Sequence, residues 1–193
     1  MLLQNIGFTS QGYEDLRVPL STTRVGGDAP TFSKFIDNGS GSTGVYAWEF
    51  VHNAEKQAFF NLQFPHGWLT GGTVYPHIHW SCTATGAADK MVNWGLEYTI
   101  SDINSAFANT TIIYGDTPVG WTSGDNVVAD KHYMTNIGSG ISLASITGVS
   151  AMMFGRIFRD VGEADNLEES VHGLEFDLHY VSRRIGSPAI GGP

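Results

Sequence analysis

Two histidines separated by one residue are the most chemically suggestive feature of this sequence. His77 and His79 lie in the segment VYPHIHWSC. In a β-strand, side chains two residues apart project from the same side, with Cα atoms about 7 Å apart. Two imidazoles on the same face of a strand often supply ligands to a metal ion. Further candidate ligands lie on other predicted strands: His179, Asp177, Glu175 and Glu97.

The sequence around these histidines matches the pattern of cupins, jelly-roll metalloproteins, only in part. A cupin places a glutamate shortly after its second histidine, whereas residues 82–85 read Cys-Thr-Ala-Thr. His179 could supply the later histidine, but its context EFDLHY does not match the second cupin motif. We therefore expect these histidines to hydrogen-bond across strands or at a subunit interface. The prediction is no metal and no cofactor, with a cupin-like metal-binding protein as an alternative.

Signatures of nucleophilic catalysis and of nucleotide binding are missing from the sequence. Cys82 is the single cysteine and falls on the apolar side of its strand, so we expect a buried, inert thiol. There is no GxSxG motif, no phosphate-binding loop and no dinucleotide fingerprint. The acidic segment 161–170 lacks the spacing of a calcium loop and favours a solvated loop. We predict no catalytic residues.

Two tryptophans fall in predicted loops, Trp68 in PHGWLTGG and Trp121 in PVGWTSGD. Large amphipathic rings contribute much of the energy of protein association, so both are candidate anchors for a partner. Stacking on carbohydrate is the competing interpretation, and it would suit a tail or receptor-binding module.

Apolar residues recur at every second position in the segments 74–82, 94–100 and 174–180, which predicts half-buried β-strands. Pro76 predicts a strand start or an edge at its position. Weaker strand predictions cover 31–36, 45–52, 57–64, 110–114, 127–135 and 152–160, and at most one helical turn is expected at 141–147. About ten short strands separated by glycine-rich turns predict an all-β, jelly-roll-like β-sandwich.

Composition agrees with this fold and limits the function. The 193 residues are 41% hydrophobic and only 15% charged, with 24 glycines, which disfavours long helices. A net charge of −9 argues against direct binding of nucleic acid through a basic surface. No segment has the roughly 18 apolar residues of a membrane span, and the N-terminus lacks signal-peptide features. We expect a soluble protein made in a cytosol.

The sequence predicts one main domain, a β-sandwich over residues 31–186. Residues 1–30 are rich in turn-forming residues and predict an N-terminal arm or a first strand. Residues 187–193 predict an irregular tail.

Several motifs occur in an order that resembles one family of proteins. They are YPHIHW (75–80), WGLEY (94–98), GRIFRD (155–160), LEFDLHY (174–180) and IGS (185–187). Over residues 45–187 the chain resembles small virion proteins of tailed bacteriophages. The resemblance implies a non-enzymatic head decoration or cement protein of the virion, made in the host bacterial cytoplasm and bound to the major capsid protein. The segment VSRRIGS departs from the family's more acidic form, which leaves the partner surface open.

An acidic, glycine-rich all-β chain without a nucleophile suits a shell component that assembles with itself. Homo-oligomers usually have closed symmetry, and we expect a homotrimer. Candidate interface residues are His77, His79, Asp177, His179, Trp68 and Trp121. A histidine–carboxylate pair at the interface would raise the histidine pKa, so the contact should weaken as pH rises through that pKa.

Overall fold

The computed structural model describes residues 12–162 and 164–182. The described chain forms a 3₁₀ turn (Leu20–Thr22) and twelve strands: β1 (Gly12–Pro19), β2 (Arg24–Val25), β3 (Thr31–Ile36), β4 (Val45–Phe50), β5 (Lys56–Gln63), β6 (Thr73–Cys82), β7 (Trp94–Ser101), β8 (Thr111–Gly115), β9 (His132–Asn136), β10 (Ile141–Ser142), β11 (Met152–Arg159) and β12 (Val171–Ser182). Among the described residues, no helix has the length and apolarity needed to cross a lipid bilayer. The predicted tail at 187–193 and the first eleven residues of the predicted arm lie outside the described residues.

The strands form two antiparallel sheets. The larger has seven strands in the order β10-β6-β12-β4-β3, with β1 also pairing with β12 and β9 with β6. The smaller has five strands in the order β2-β5-β11-β7-β8. Residues 12–30 contribute β1 to the seven-stranded sheet and β2 to the five-stranded sheet. The prediction of an all-β sandwich is confirmed.

The seven-stranded sheet is organised around its two longest strands, β6 and β12. A register shift between Gly173 and Glu175 places one extra residue, Leu174, in β12 opposite β6. Because strand side chains alternate between faces, this bulge reverses which face the following residues occupy. Asp177 thus lies on the outer face opposite His77, whereas strict alternation from Gly173 would have turned it inward.

Aromatic side chains from both sheets meet in the core. Phe50 packs edge-on against Trp94, with ring centroids 5.2 Å apart, and Phe60 lies 4.9 Å from Phe176. Each of these pairs joins one sheet to the other. Cys82 is buried among them, and burial raises the pKa of its thiol, as expected of an inert cysteine.

Most predicted strands are confirmed with bounds shifted by up to three residues, and the exceptions have physical causes. The predicted strand 127–135 begins only at His132, because the preceding residues turn through Asp130 with a φ of 60°. The turn expected at 141–147 begins instead as the short strand β10, paired with Val74 and Thr73 of β6.

The edge position expected for Pro76 is wrong, because β6 has neighbours on both sides. The N–H and C=O of one strand residue project to the same side, and the Pro76 carbonyl accepts a hydrogen bond from Ile137 N–H. The backbone nitrogen of Pro76, which has no hydrogen, therefore faces that same side. On that side, Pro76 falls between the residues of β6 that pair with β10 and those that pair with β9. Pro76 therefore gives up only the reciprocal hydrogen bond to Ile137, in the gap between β10 and β9.

A fully buried arginine fastens the loop before β12 to the sandwich. Arg159 donates from Nε and Nη2 to the two oxygens of Asp165, at 2.7 and 2.9 Å. Its Nη1 donates to the carbonyls of Phe50 (3.1 Å) and Glu169 (2.7 Å). This one side chain therefore connects the end of β11, the end of β4 and the loop that leads to β12.

We expect Arg159→Met to lower the free energy of unfolding by about 3–5 kcal/mol, because it leaves the buried Asp165 carboxylate without its cation. Urea denaturation followed by tryptophan fluorescence measures the change. Arg17→Met is the matched control, since the Arg17 side chain is 65% exposed, and its midpoint should stay close to that of the wild type. Equal midpoints for the two variants would contradict the role of Arg159.

Candidate functional site

The outer face of the seven-stranded sheet carries histidines and carboxylates across four adjacent strands. His77 of β6 lies opposite Asp177 of β12, and His179 lies opposite Asp15 of β1. On the other side of β6, His132 of β9 pairs with Ser81 and so lies next to His79. We call this set the histidine–aspartate row: His132, His79, His77, Asp177, His179 and Asp15.

Asp177 is the centre of the row. It is buried, with 4% exposure, and so is His77, with 1%. His77 Nε2 contacts Oδ1 of Asp177, and His79 Nε2 lies 3.6 Å from Oδ2. The carboxylate therefore has one imidazole beside each oxygen, both supplied by β6.

Two further contacts flank this centre. Nδ1 of His79 and Nε2 of His132 lie 2.7 Å apart, so one ring donates a hydrogen bond to the other. His179 Nε2 lies 2.8 Å from Oδ1 of Asp15, and its ring centroid is 4.1 Å from that of His77. The row thus continues from the buried centre to half-exposed groups at either end.

The charge at the centre is fixed by these contacts. Burial acts to raise the pKa of Asp177, but the contacts of its carboxylate with the His77 and His79 imidazoles outweigh burial and hold the pKa at about 2. The nearby Asp177 carboxylate raises the pKa of His79, which outweighs the opposite effect of burial. Asp177 is therefore an anion at neutral pH, and its position requires a neighbouring cation, either a proton on a histidine or a metal ion.

The structure brings together some of the predicted candidate ligands and separates others. His77, His79 and Asp177 offer three ligand atoms within 4.8 Å of one another. His179 was the predicted third histidine, but its Nε2 is paired with Asp15 rather than with this cluster.

The two glutamates are likewise paired elsewhere. Glu175 forms an ion pair with Arg17. Glu97 lies on the five-stranded sheet, where it accepts hydrogen bonds from Arg156 and Thr110.

Sequence reasoning missed two members of the row. His132 lies in the segment His-Tyr-Met-Thr, in which Tyr133 and Thr135 are buried. Because strand side chains alternate between faces, this pattern places His132 on the outer face. Nothing in the sequence indicates that β9 lies beside β6. Asp15 falls in a segment predicted only as an arm or first strand, so its pairing with His179 had no local signal.

The two loop tryptophans lie in different surroundings. Trp68 is 2% exposed and packs against Phe64 with ring centroids 5.1 Å apart, so the expectation that it anchors a partner at the surface is wrong. Its large apolar ring adds to the core instead. Trp121 is half-buried and borders a cleft of about 470 Å³ whose other walls include His79, His132 and Lys131.

The outer face of the five-stranded sheet differs sharply from the histidine–aspartate row, because it exposes large apolar side chains. Their exposed fractions range from 38% to 47%, and we call them the aromatic face: Phe59, Phe107, Ile112, Tyr114 and Phe154. Phe107 and Phe154 touch edge-on, with ring centroids 5.5 Å apart. Arg156 lies among them, bound to Glu97 and Glu55.

One more histidine is buried on the outer face of β12, ahead of the bulge. His172 is 3% exposed, its Nε2 lies 2.9 Å from Oγ of Ser33, and its ring packs edge-on against Phe35. Burial lowers the pKa of His172, and the nearby carboxylates of Glu49 and Asp130 offset only part of this effect. The neutral imidazole is therefore the form that the fold favours.

The chain is an antiparallel β-sandwich with the histidine–aspartate row on one outer face and the aromatic face on the other. No protein-family profile and no curated protein matches its sequence. A chain from the structure of infectious bursal disease virus Gx strain aligns at 10% identity and a TM-score of 0.33, covering 84% of this chain and 40% of the viral one. The Gt strain structure aligns at 10% identity and a TM-score of 0.24, covering 91% and 47%. This chain spans less than half of either viral chain.

We expect the stability contributed by His172 to decrease on acidification. The pKa of His172 is lower in the folded state than the value of about 6.5 typical of an unfolded chain, so the unfolded state binds more protons near that pH. This contribution is present above the unfolded pKa and is lost as pH falls toward the folded pKa. The difference in unfolding free energy between wild type and His172→Gln should therefore shrink as pH falls from neutral to about 5.5.

Urea titrations at several pH values measure this difference. Asn53→Gln, in the exposed turn after β4, is the control, and its unfolding free energy should follow that of the wild type at every pH. A difference between wild type and His172→Gln that stays constant with pH would show that His172 is not held neutral by burial.

Proposed function

We propose that this protein is a non-enzymatic structural protein of a bacteriophage virion, a head decoration or cement protein that assembles with itself and binds the major capsid protein. In the sequence, the ordered motifs resemble small virion proteins of tailed phages. Three of these motifs form central strands of the sandwich, YPHIHW in β6, GRIFRD in β11 and LEFDLHY in β12. The resemblance therefore falls on the framework of the fold.

The observation that carries the proposal is the aromatic face. Single exposed apolar residues are normal, but a contiguous apolar surface marks an interaction site. Phe107 and Phe154 are in contact, and a groove of about 380 Å³, which Glu97 and Arg156 also line, runs from Phe154 to Phe59. Aromatic rings with an arginine among them are the composition typical of interface hot spots.

The aromatic face is a better candidate for the assembly surface than the predicted histidine interface. His77 and Asp177 are buried within a single chain, so they cannot reach a partner directly. The pairing of histidine with carboxylate expected between subunits occurs inside the chain instead. Only His79 and His179 of the predicted histidines retain substantial exposure, 24% and 38% of their side chains.

Assembly through the aromatic face would also overcome the charge of the chain. Copies with a net charge of −9 repel one another, and burial of apolar area at about 25 cal/mol per Å² exceeds such repulsion in an interface of standard size. We propose a homotrimer, made in the host bacterial cytoplasm and incorporated into the virion, with no direct contact to nucleic acid or membrane.

A tail or receptor-binding module is the second candidate, favoured by one feature. Trp121 borders a cleft that also contains Asp125 and Lys131, and a half-buried aromatic ring beside polar groups suits a sugar. Binding on a glycan array that is lost in Trp121→Ala would favour this function. Trp68→Ala is unsuitable for this test, because Trp68 belongs to the core.

Light scattering of the isolated protein tests the assembly surface. We expect a trimer for the wild type and a smaller species for Phe154→Glu, because a carboxylate would have to be buried at the aromatic face. Asn53→Glu adds the same charge in the exposed turn between β4 and β5 and should leave the trimer intact. A trimeric Phe154→Glu variant would exclude this face, and a monomeric wild type at all concentrations would exclude assembly.

The virion location is tested on particles of the virus whose genome encodes the chain. Mass spectrometry of gradient-purified particles should detect the protein in many copies, and labelling by a specific antibody in electron microscopy should fall on the heads. Labelling on tails would favour the receptor-binding alternative. Detection in infected cells but not in particles would refute the structural role.

A further inference from the structure

We propose that His77, His79 and Asp177 form a binding site for one divalent transition-metal ion, which joins β6 to β12 on the outer face of the seven-stranded sheet. The site goes beyond the proposed virion role and does not depend on it. Two imidazole nitrogens and a carboxylate oxygen form a ligand set suited to zinc and to other first-row metals.

The spacing of His79 and Asp177 agrees with such an ion, which would take Oδ2 of Asp177 because His77 Nε2 contacts Oδ1 directly. All three fall within 4.8 Å of one another. Zinc binds histidine nitrogen and carboxylate oxygen at about 2.0–2.2 Å, so two ligands of a tetrahedral ion lie about 3.4 Å apart. His79 Nε2 and Asp177 Oδ2 are 3.6 Å apart, close to that separation but too far for a hydrogen bond.

The contact between His79 and His132 prepares His79 to bind a metal. At 2.7 Å, one of the two facing nitrogens must donate to the other. When His79 Nδ1 is the donor, neutral His79 presents the lone pair of Nε2 toward the Asp177 carboxylate. His79 Nε2 and the Asp177 carboxylate oxygen then repel each other, and a cation bound between them would remove this repulsion. A hydrogen bond on the second ring nitrogen of a ligand histidine is the usual outer-shell support of a metal site.

Burial of the carboxylate also favours a cation at this position. His77 and Asp177 are at least 95% buried, so the Asp177 carboxylate lies where an uncompensated charge is costly and a bound cation would stabilise it. His79, at 24% side-chain exposure, opens the site to the cleft beside Trp121, which gives an ion a route of entry and room for water ligands.

Calorimetric titration of the chelator-treated full chain with zinc chloride tests the site. We expect one zinc ion per chain for the wild type, and no such binding for His79→Gln or Asp177→Asn. His132→Gln should weaken binding by about 10- to 100-fold, because it removes only the outer-shell partner. His52→Gln, in the exposed turn after β4, is the matched histidine control and should bind like the wild type. Calcium, which prefers all-oxygen sites, should not bind.

A second measurement separates loss of the site from loss of the fold. Zinc should raise the melting temperature of the wild type and of His52→Gln, since a ligand that binds only the native state stabilises it. His79→Gln should fold, with an unchanged circular dichroism spectrum, but show no rise with zinc. Absence of binding to the wild type, or equal binding by folded His79→Gln, would overturn the proposal. Either result leaves the virion role to be decided by the particle experiments.

Discussion

The Asp177 carboxylate sets the constraint on which the seven-stranded sheet depends. A carboxylate with 4% exposure is costly unless a cation and hydrogen-bond donors lie beside it. The two neighbouring imidazoles, of His77 and His79, both come from β6. They reach Asp177 only if β6 and β12 pair in this one register. The bulge at Leu174 provides that register by turning Asp177 outward while Phe176 and Leu178 remain in the core. A slip of one residue would bury the charge between the sheets.

The remaining strands extend this arrangement to both sides. β9 adds His132 beside His79, and β1 adds Asp15 beside His179, so polar groups on four strands are connected across one face. The five-stranded sheet, packed behind it, carries apolar side chains on its own outer face. The sandwich thus carries the histidine–aspartate row on one outer face and the aromatic face on the other.

Much of the fold could be predicted from the sequence, because alternation of apolar residues depends on local chain geometry. The segments 74–82, 94–100 and 174–180 form β6, β7 and most of β12, and β3 has the predicted bounds. Outward placement of both histidines also followed from alternation. Burial of His77 did not, because it depends on neighbours from β12 and β9 that alternation cannot identify.

The parts that could not be predicted depend on long-range pairing. The contact of His132 with His79 joins residues 53 positions apart, and His79 and Asp177 are further apart still. Trp68 lies in a loop, as expected, yet packs into the core beside Phe64, because a loop can fold back over the end of a sheet. Arg159 stands in a predicted strand, but its complete burial follows from the loop that carries Asp165.

The most direct test of the account is a crystal structure of the protein grown with zinc, with anomalous diffraction recorded on both sides of the zinc absorption edge. The account predicts one strong peak about 2.0–2.2 Å from Nε2 of His77, from Nε2 of His79 and from a carboxylate oxygen of Asp177. It also predicts that His132 remains hydrogen-bonded to Nδ1 of His79. A map without a peak at this position, in which His79 Nε2 donates a hydrogen bond directly to Asp177, would contradict it.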